Sequence, residues 1–165
     1  MKTIDERREL LQKYTGRFII PQMTKPLKPG TCHNRVIEGC CTSYEFQIDT
    51  LSYRGIWIST IEDIELIVDG EQIPKSNMMF FCNGINYSID NMVNHTECFW
   101  DAESPGMLRV YRVGGLPKGD HSFEITISKR SDFGHSFGNG TEGYEEAVEF
   151  HVPMKIHDEC VYTIM

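Results

Sequence analysis

Hydrophobic and polar positions alternate with a period of two along much of this chain. Tyr44, Phe46 and Ile48 alternate with Glu45, Gln47 and Asp49, the pattern of a strand with one face on a core. Phe123, Ile125 and Ile127 alternate with Glu124 and Thr126, and Val148, Phe150 and Val152 share one face of a run over 147–152. Residues 61–68 and 107–113 form two further β-rich runs. Asp69-Gly70 follows the first of these and leads into Glu71-Gln72-Ile73-Pro74; Asn83-Gly84 stands between 78–82 and 85–87. Asp-Gly and Asn-Gly between apolar runs predict two-residue hairpins, because both turn positions need a positive φ. Gly114 to Gly119 turns the chain into the strand that begins at His121. Residues 131–143 are Gly-rich and polar, an irregular loop about as long as ordered loops become, and so either functional or disordered.

Helical spacing is confined to 4–14, where Ile4, Leu10, Leu11 and Tyr14 share a face and Asp5 and Glu6 sit early, as the helix dipole favours. Pro21, Pro26, Pro29 and Gly30 then exclude helix and central strand, which makes this stretch an extended arm. The expected fold class is therefore all-β: an antiparallel β-sandwich of about eight strands, with a short N-terminal helix and extended arm. The expected division is 1–30 for helix and Pro-rich arm, 31–155 for the sandwich domain and 156–165 for a C-terminal tail.

Composition narrows the partners. At 165 residues the chain is long enough for one sandwich with its own core. The net charge of −8 is spread along the chain without a basic stripe. That excludes a nucleic-acid binder, which needs clustered Lys and Arg, and disfavours docking on anionic lipid. The opening MKTIDERRELLQKYTGR is charged where an export signal needs an apolar core, and no apolar run approaches the ~20 residues of a membrane span. A cytoplasmic location follows as the expectation, with Cys32, Cys40, Cys41, Cys82, Cys98 and Cys160 as free thiols in no CxxC spacing.

Candidate chemistry is sparse. There is no GxSxG elbow, Walker loop, dinucleotide fingerprint or HExxH. His33, His95, His135, His151 and His157 are scattered, and a metal site built from some of them with Asp or Cys stays open. His121 begins a strand after a turn and reads as a turn-terminating residue bonded to backbone. Glu62, Asp63 and Glu65 invite a glycosidase reading, but Asp63 and Glu65 share the face opposite Ile64, Leu66 and Val68, as on a solvated outer face. Tyr53, Trp57, Phe99 and Trp100 suit a core, a protein interface or a sugar platform. No catalytic residue and no metal ligand is assigned to this chain. The residues describe a binding or accessory sandwich; a carbohydrate-binding module and a small stand-alone sandwich metalloenzyme are the alternatives.

Tyr53-Arg54-Gly55-Ile56-Trp57-Ile58-Ser59, then Ile61-Glu62-Asp63-Ile64-Glu65-Leu66-Ile67-Val68-Asp69-Gly70-Glu71, then Trp100 and Gly114-Gly115-Leu116-Pro117-Lys118-Gly119-Asp120-His121 come in a distinctive order. In that order and spacing the chain, from Val36 to Arg130, resembles the β subunit of bacterial C-glycoside deglycosidases. The resemblance implies a two-component carbon–carbon lyase. Its large subunit would be a TIM barrel of sugar-isomerase type holding a divalent metal, usually manganese, and its substrate a 3-oxo-C-glycoside of a flavonoid or related aromatic. A C–C glycosidic bond has no leaving oxygen to protonate. A C3 ketone acidifies the C2–H, a base removes that proton, and the aromatic carbon leaves by β-elimination. Base and metal would belong to the partner, with no cofactor on this chain. An obligate subunit must hide an aromatic patch. The candidates for it are Tyr53, Arg54, Trp57, Phe99 and Trp100. Phe133, His135 and Phe137, in the 131–143 loop, are candidates for reaching the partner's active site.

Overall fold

A computed structural model describes residues 25–49, 52, 55–130 and 154–165. The expected helix over 4–14, the 131–143 loop and the run over 147–152 lie outside the described residues. What is described is built from antiparallel strands: β1 (His33–Ile37), β2 (Cys40–Ile48), β3 (Ile56–Trp57), β4 (Ile61–Val68), β5 (Glu71–Gln72), β6 (Met78–Cys82), β7 (Ile85–Ser88), β8 (Phe99–Trp100), β9 (Gly106–Tyr111), β10 (Gly119–Lys129) and β11 (Met154–Ile164). Eight of these have four residues or more, and β3, β5 and β8 are two-residue pieces. They form one sheet in the order β1-β2-β9-β6-β7, a second in the order β11-β10-β4-β5, and a separate β3-β8 ribbon. Among the described residues the helical content is three short 3₁₀ turns, Ile58–Thr60, Lys75–Asn77 and Ile89–Asn94. Among the described residues no helix is long and apolar enough to cross a membrane.

The alternating side chains meet where the two sheets face. Tyr44, Phe46 and Ile48 of β2 and Leu108 and Val110 of β9 point inward from the first sheet. Ile64, Leu66 and Val68 of β4, Phe123, Ile125 and Ile127 of β10, and Tyr162 of β11 point inward from the second. Phe123 is the hub: its ring stands edge-on to Tyr162 at 4.8 Å and Phe46 at 5.2 Å. Such T-shaped pairs add about 0.5–1.5 kcal/mol each beyond the area they bury. The expected pairs Asp69-Gly70 and Asn83-Gly84 make two-residue hairpin turns, with φ of 51° and 79° in the first and 51° and 76° in the second. Glu38-Gly39 makes a third between β1 and β2, with φ of 50° and 80°.

One expectation is corrected. Residues 156–165, read as a tail, belong almost entirely to β11, which pairs with β10 from Gly119↔Ile164 to Lys129↔Met154. The segment Met154–Ile164 carries Lys155, His157, Asp158 and Glu159, and these charges hide its period of two. Ile156, Tyr162 and Ile164 are nonetheless buried. The Pro-rich arm is also tied down: Leu27 is buried and bridges Ile48, and the Leu27 amide donates to Asp158 of β11 at 3.0 Å. On the outer face of the first sheet Arg109 reaches Glu45 through Nε and Nη2 at 2.9 and 2.8 Å, and its guanidinium lies 4.0 Å from the Phe81 ring centroid.

Candidate functional site

The predicted interface residues separate in the fold. Tyr53 and Arg54, like Phe133, His135 and Phe137, lie outside the described residues. Trp57 and Phe99 are opposite one another in the β3-β8 ribbon, with rings 5.0 Å apart in a T-shaped pair. They remain 46% and 39% exposed, so together they present an aromatic surface to solvent. Gly55 lies under this ribbon at φ +86°, where a Cβ would run into the Trp100 carbonyl and the Phe99 ring. Trp100 itself is corrected: at 1% exposure it is a core residue and offers no surface to a partner. Strand alternation turns it away from Phe99. Its ring packs 5.0 Å from Phe80, and its indole N–H donates to the Ser104 carbonyl at 2.8 Å. Gly106 makes room, since a Cβ there would strike both Phe80 and Trp100.

Two of the three β4 carboxylates are held in ion pairs. Asp63 is paired with Lys75 at 2.7 Å, Glu62 with Arg130 at 3.2 Å, and Glu65 is exposed on the outer face. Glu124, His157 and Glu159 converge on the outer face of β10 and β11, with possible ligand atoms within 4.8 Å of one another. His157 already spends both ring nitrogens there, on Thr126 at 3.1 Å and Glu159 at 3.0 Å.

His121 does more than end a turn. Its Nδ1 lies 2.6 Å from Asp69 Oδ2 and its Nε2 lies 2.8 Å from the Pro117 carbonyl. A carboxylate and a carbonyl only accept, so the two partners together favour the doubly protonated imidazolium form of the ring. The Asp69 hydrogen bond, then the Pro117 one, raises the His121 pKa above its ordinary value, and the same bond holds the Asp69 carboxyl below its own. Asp69 also accepts from the Ser122 amide at 2.9 Å. The far side of the same loop is held by Asn34, which donates to the Leu116 carbonyl and accepts from the Leu116 amide, both at 2.8 Å. The β4–β5 turn and the 114–121 loop are thereby locked together at one end of the sandwich.

Beside this lock is a cleft of about 290 Å³ between β5 with its following turn and the ends of β2 and β9. Tyr44, Glu71, Asn77, Tyr111 and Arg112 bring polar atoms to its wall; Ile73, Pro74 and Val110 supply the apolar part. Apart from Tyr44, none of these residues had a chemical signal in the sequence. They come from three separate stretches: β2 and β9 pair within one sheet, β5 belongs to the other, and the stacking of the two sheets unites them.

The six cysteines are unbonded. Burial pushes the Cys32 thiol up to about 12 and the Cys82 thiol to about 11, while Cys40 is exposed.

The fold and its surfaces define a β-sandwich with an exposed aromatic ribbon, one locked end and a small polar cleft. Residues 23–133 match the family model described as "C-glycoside deglycosidase beta subunit", and the chain belongs to that family. It is similar to the C-glycoside deglycosidase beta subunit of Eubacterium cellulosolvens, at 31% identity over 95 residues, 58% of this chain and 65% of that protein. It is also similar to the C-glycoside deglycosidase beta subunit of Arthrobacter globiformis, at 33% identity over 76 residues, 46% of this chain and 56% of that protein. The matched regions thus span less than two thirds of either relative.

Proposed function

We propose that this chain is the accessory subunit of a hetero-oligomeric C-glycoside deglycosidase. The complex cleaves the C–C glycosidic bond of a 3-oxo-C-glycoside of flavonoid type by β-elimination. The base and a divalent metal, manganese, reside in a TIM-barrel partner, and this chain works in the cytoplasm by docking on that barrel. The observation that carries the reading is the family match over 23–133. The site chemistry agrees with it. His121 is fully engaged by Asp69 and Pro117 and so has no free lone pair to act as a base. Two of the β4 carboxylates, Glu62 and Asp63, are held in ion pairs. The Trp57–Phe99 pair is the described aromatic surface suited to a partner.

The test is reconstitution. The purified chain and the barrel protein are assayed separately and together on a 3-oxo-C-glucoside with manganese. Turnover is expected from the mixture and not from this chain alone. Turnover by this chain alone would favour the stand-alone metalloenzyme, and Glu124, His157 and Glu159 would then be its first candidate ligands. Failure of the two proteins to associate would remove the subunit reading.

A further inference from the structure

The outer face of the second sheet carries a group of side chains that packing does not explain. In the register of β10 with β11, Glu124 stands directly opposite Glu159, and Thr126 directly opposite His157. Like charges facing one another across an antiparallel pair destabilise it. Yet no Lys or Arg of the described residues bridges these two. The Glu124 carboxylate has no hydrogen bond or ion pair with another described residue, and the Glu159 carboxylate is paired with His157 alone. Two carboxylates and one imidazole instead bring ligand atoms within 4.8 Å of one another. His157 is oriented from behind. With its proton on Nδ1 it donates to the Thr126 hydroxyl at 3.1 Å, and the Nε2 lone pair then faces Glu159 Oε1 at 3.0 Å. A lone pair set against a carboxylate is unfavourable unless a proton or a metal ion joins them.

We propose that Glu124, His157 and Glu159 form a binding site for a divalent first-row transition ion, zinc above all, and that the ion staples β11 to β10. The donor set selects the class. Imidazole is a ligand for zinc and its neighbours in the first row; magnesium and calcium take oxygen. Two carboxylates and a neutral imidazole balance the two positive charges of the ion. Zinc bonds of about 2.0–2.2 Å set neighbouring ligand atoms about 3.0–3.5 Å apart. The Nε2–Oε1 distance of 3.0 Å already has that size. Glu124 closes the remaining gap by turning a side chain that no other described residue holds. The Thr126 hydroxyl is the outer partner that fixes the tautomer and aim of a metal-bound histidine. His157 and Glu159 are 48% and 67% exposed, so water completes the coordination. β11 is an edge strand of its sheet. An ion here turns the repulsion between Glu124 and Glu159 into a cross-link that ties this edge down.

This site does not rest on the subunit reading above and needs neither the partner nor the partner's metal. The test takes the full chain, stripped of metal by a chelator, and titrates it with zinc chloride, reading binding by calorimetry and stability by thermal melts. Saturable zinc binding and a higher melting temperature in zinc are expected, and neither effect from magnesium or calcium. His157→Ala should weaken zinc binding by about tenfold or more, and Thr126→Val, which keeps all three ligands, should weaken it by about tenfold. Glu124→Gln separates a metal site from a mere surface cluster. Without metal it removes a like-charge contact, so the melting temperature should hold or rise, while the zinc-dependent rise is lost. Cobalt(II) is the spectroscopic probe. Bound here it shows d–d bands without the thiolate charge-transfer band that binding at the free cysteines gives. Absence of saturable zinc binding, full affinity in both His157→Ala and Glu124→Gln, equal binding of calcium, or cobalt held through thiolate alone would overturn the proposal.

Discussion

His121 Nδ1 donates to Asp69 Oδ2 at 2.6 Å, and this contact joins the two turns that close one end of the sandwich. Asp69 is the first residue of a hairpin turn, at φ 51°, and His121 lies in the long strand β10. Turn geometry alone would accept Asn at position 69 equally well. The carboxylate is needed because the imidazole behind it is buried and bonded on its other side to Pro117.

The pH dependence of folding should follow from this pair. His121 is raised above its ordinary 6.5, so its contribution is complete below about 6.5 and is lost as pH rises through its folded pKa. Asp69 is held below its ordinary 3.8, so its contribution is present above that value and is lost as pH falls through its folded pKa. The bridge therefore stabilises most between about pH 4 and 6.5. Its strength is moderated by solvent at Asp69, whose side chain is half exposed. Asp69→Asn keeps the turn and removes the charge. Thermal melts from pH 5 to 8 should lose most of the His121-linked slope in that variant. An unchanged slope would refute the imidazolium assignment.

Gly70 has φ +79° with open space where a Cβ would stand. Gly70→Val should cost on the order of 1 kcal/mol or more through backbone strain alone, since a β-branched residue resists positive φ. Gly106 is the contrasting case. Gly106→Ala drives a methyl into Phe80 and Trp100 and should cost about 1–3 kcal/mol through overpacking. Chemical denaturation of both variants separates turn strain from core strain.

The two tryptophans should respond differently. Trp100→Ala empties the core beneath Phe80 and should lower stability by about 3–5 kcal/mol. Trp57→Ala removes an exposed ring and should fold nearly normally while weakening association with the proposed barrel partner by about 2 kcal/mol or more. Melting temperature and binding measured on the same preparations decide this. Normal binding by folded Trp57→Ala would move the contact surface elsewhere.

Thiol reactivity should be graded by burial. Under native conditions at neutral pH, Cys40 should alkylate first, and Cys32 and Cys82 last, because burial disfavours their thiolates. After denaturation all six should label. Time-resolved mass spectrometry reads the order, and early modification of Cys32 would contradict the packing of the arm against the sandwich.

The chain's own letters determined the period-two strands, the all-β class and the two Gly-containing hairpins. These are local consequences of side-chain alternation and of the positive φ that Asp-Gly and Asn-Gly tolerate, and they need no knowledge of neighbours. The order Tyr-Arg-Gly, Val-Asp-Gly-Glu, Gly-Leu-Pro-Lys-Gly-Asp-His likewise determined the family. The tertiary structure decided the rest. Phe99 and Trp100 are adjacent and both aromatic, yet one faces solvent and the other the core, because the pairing of β3 with β8 sets which face is which. Met154–Ile164 is a strand because the register of β10 provides a partner for every residue of it, despite its charges. The lock joins residues 52 apart in sequence, and the cleft joins Tyr44 to Glu71 and Arg112. Contacts of that separation leave no period in the sequence. They exist only once two sheets have stacked, and the energy that brings those polar side chains together comes from the apolar faces they do not share.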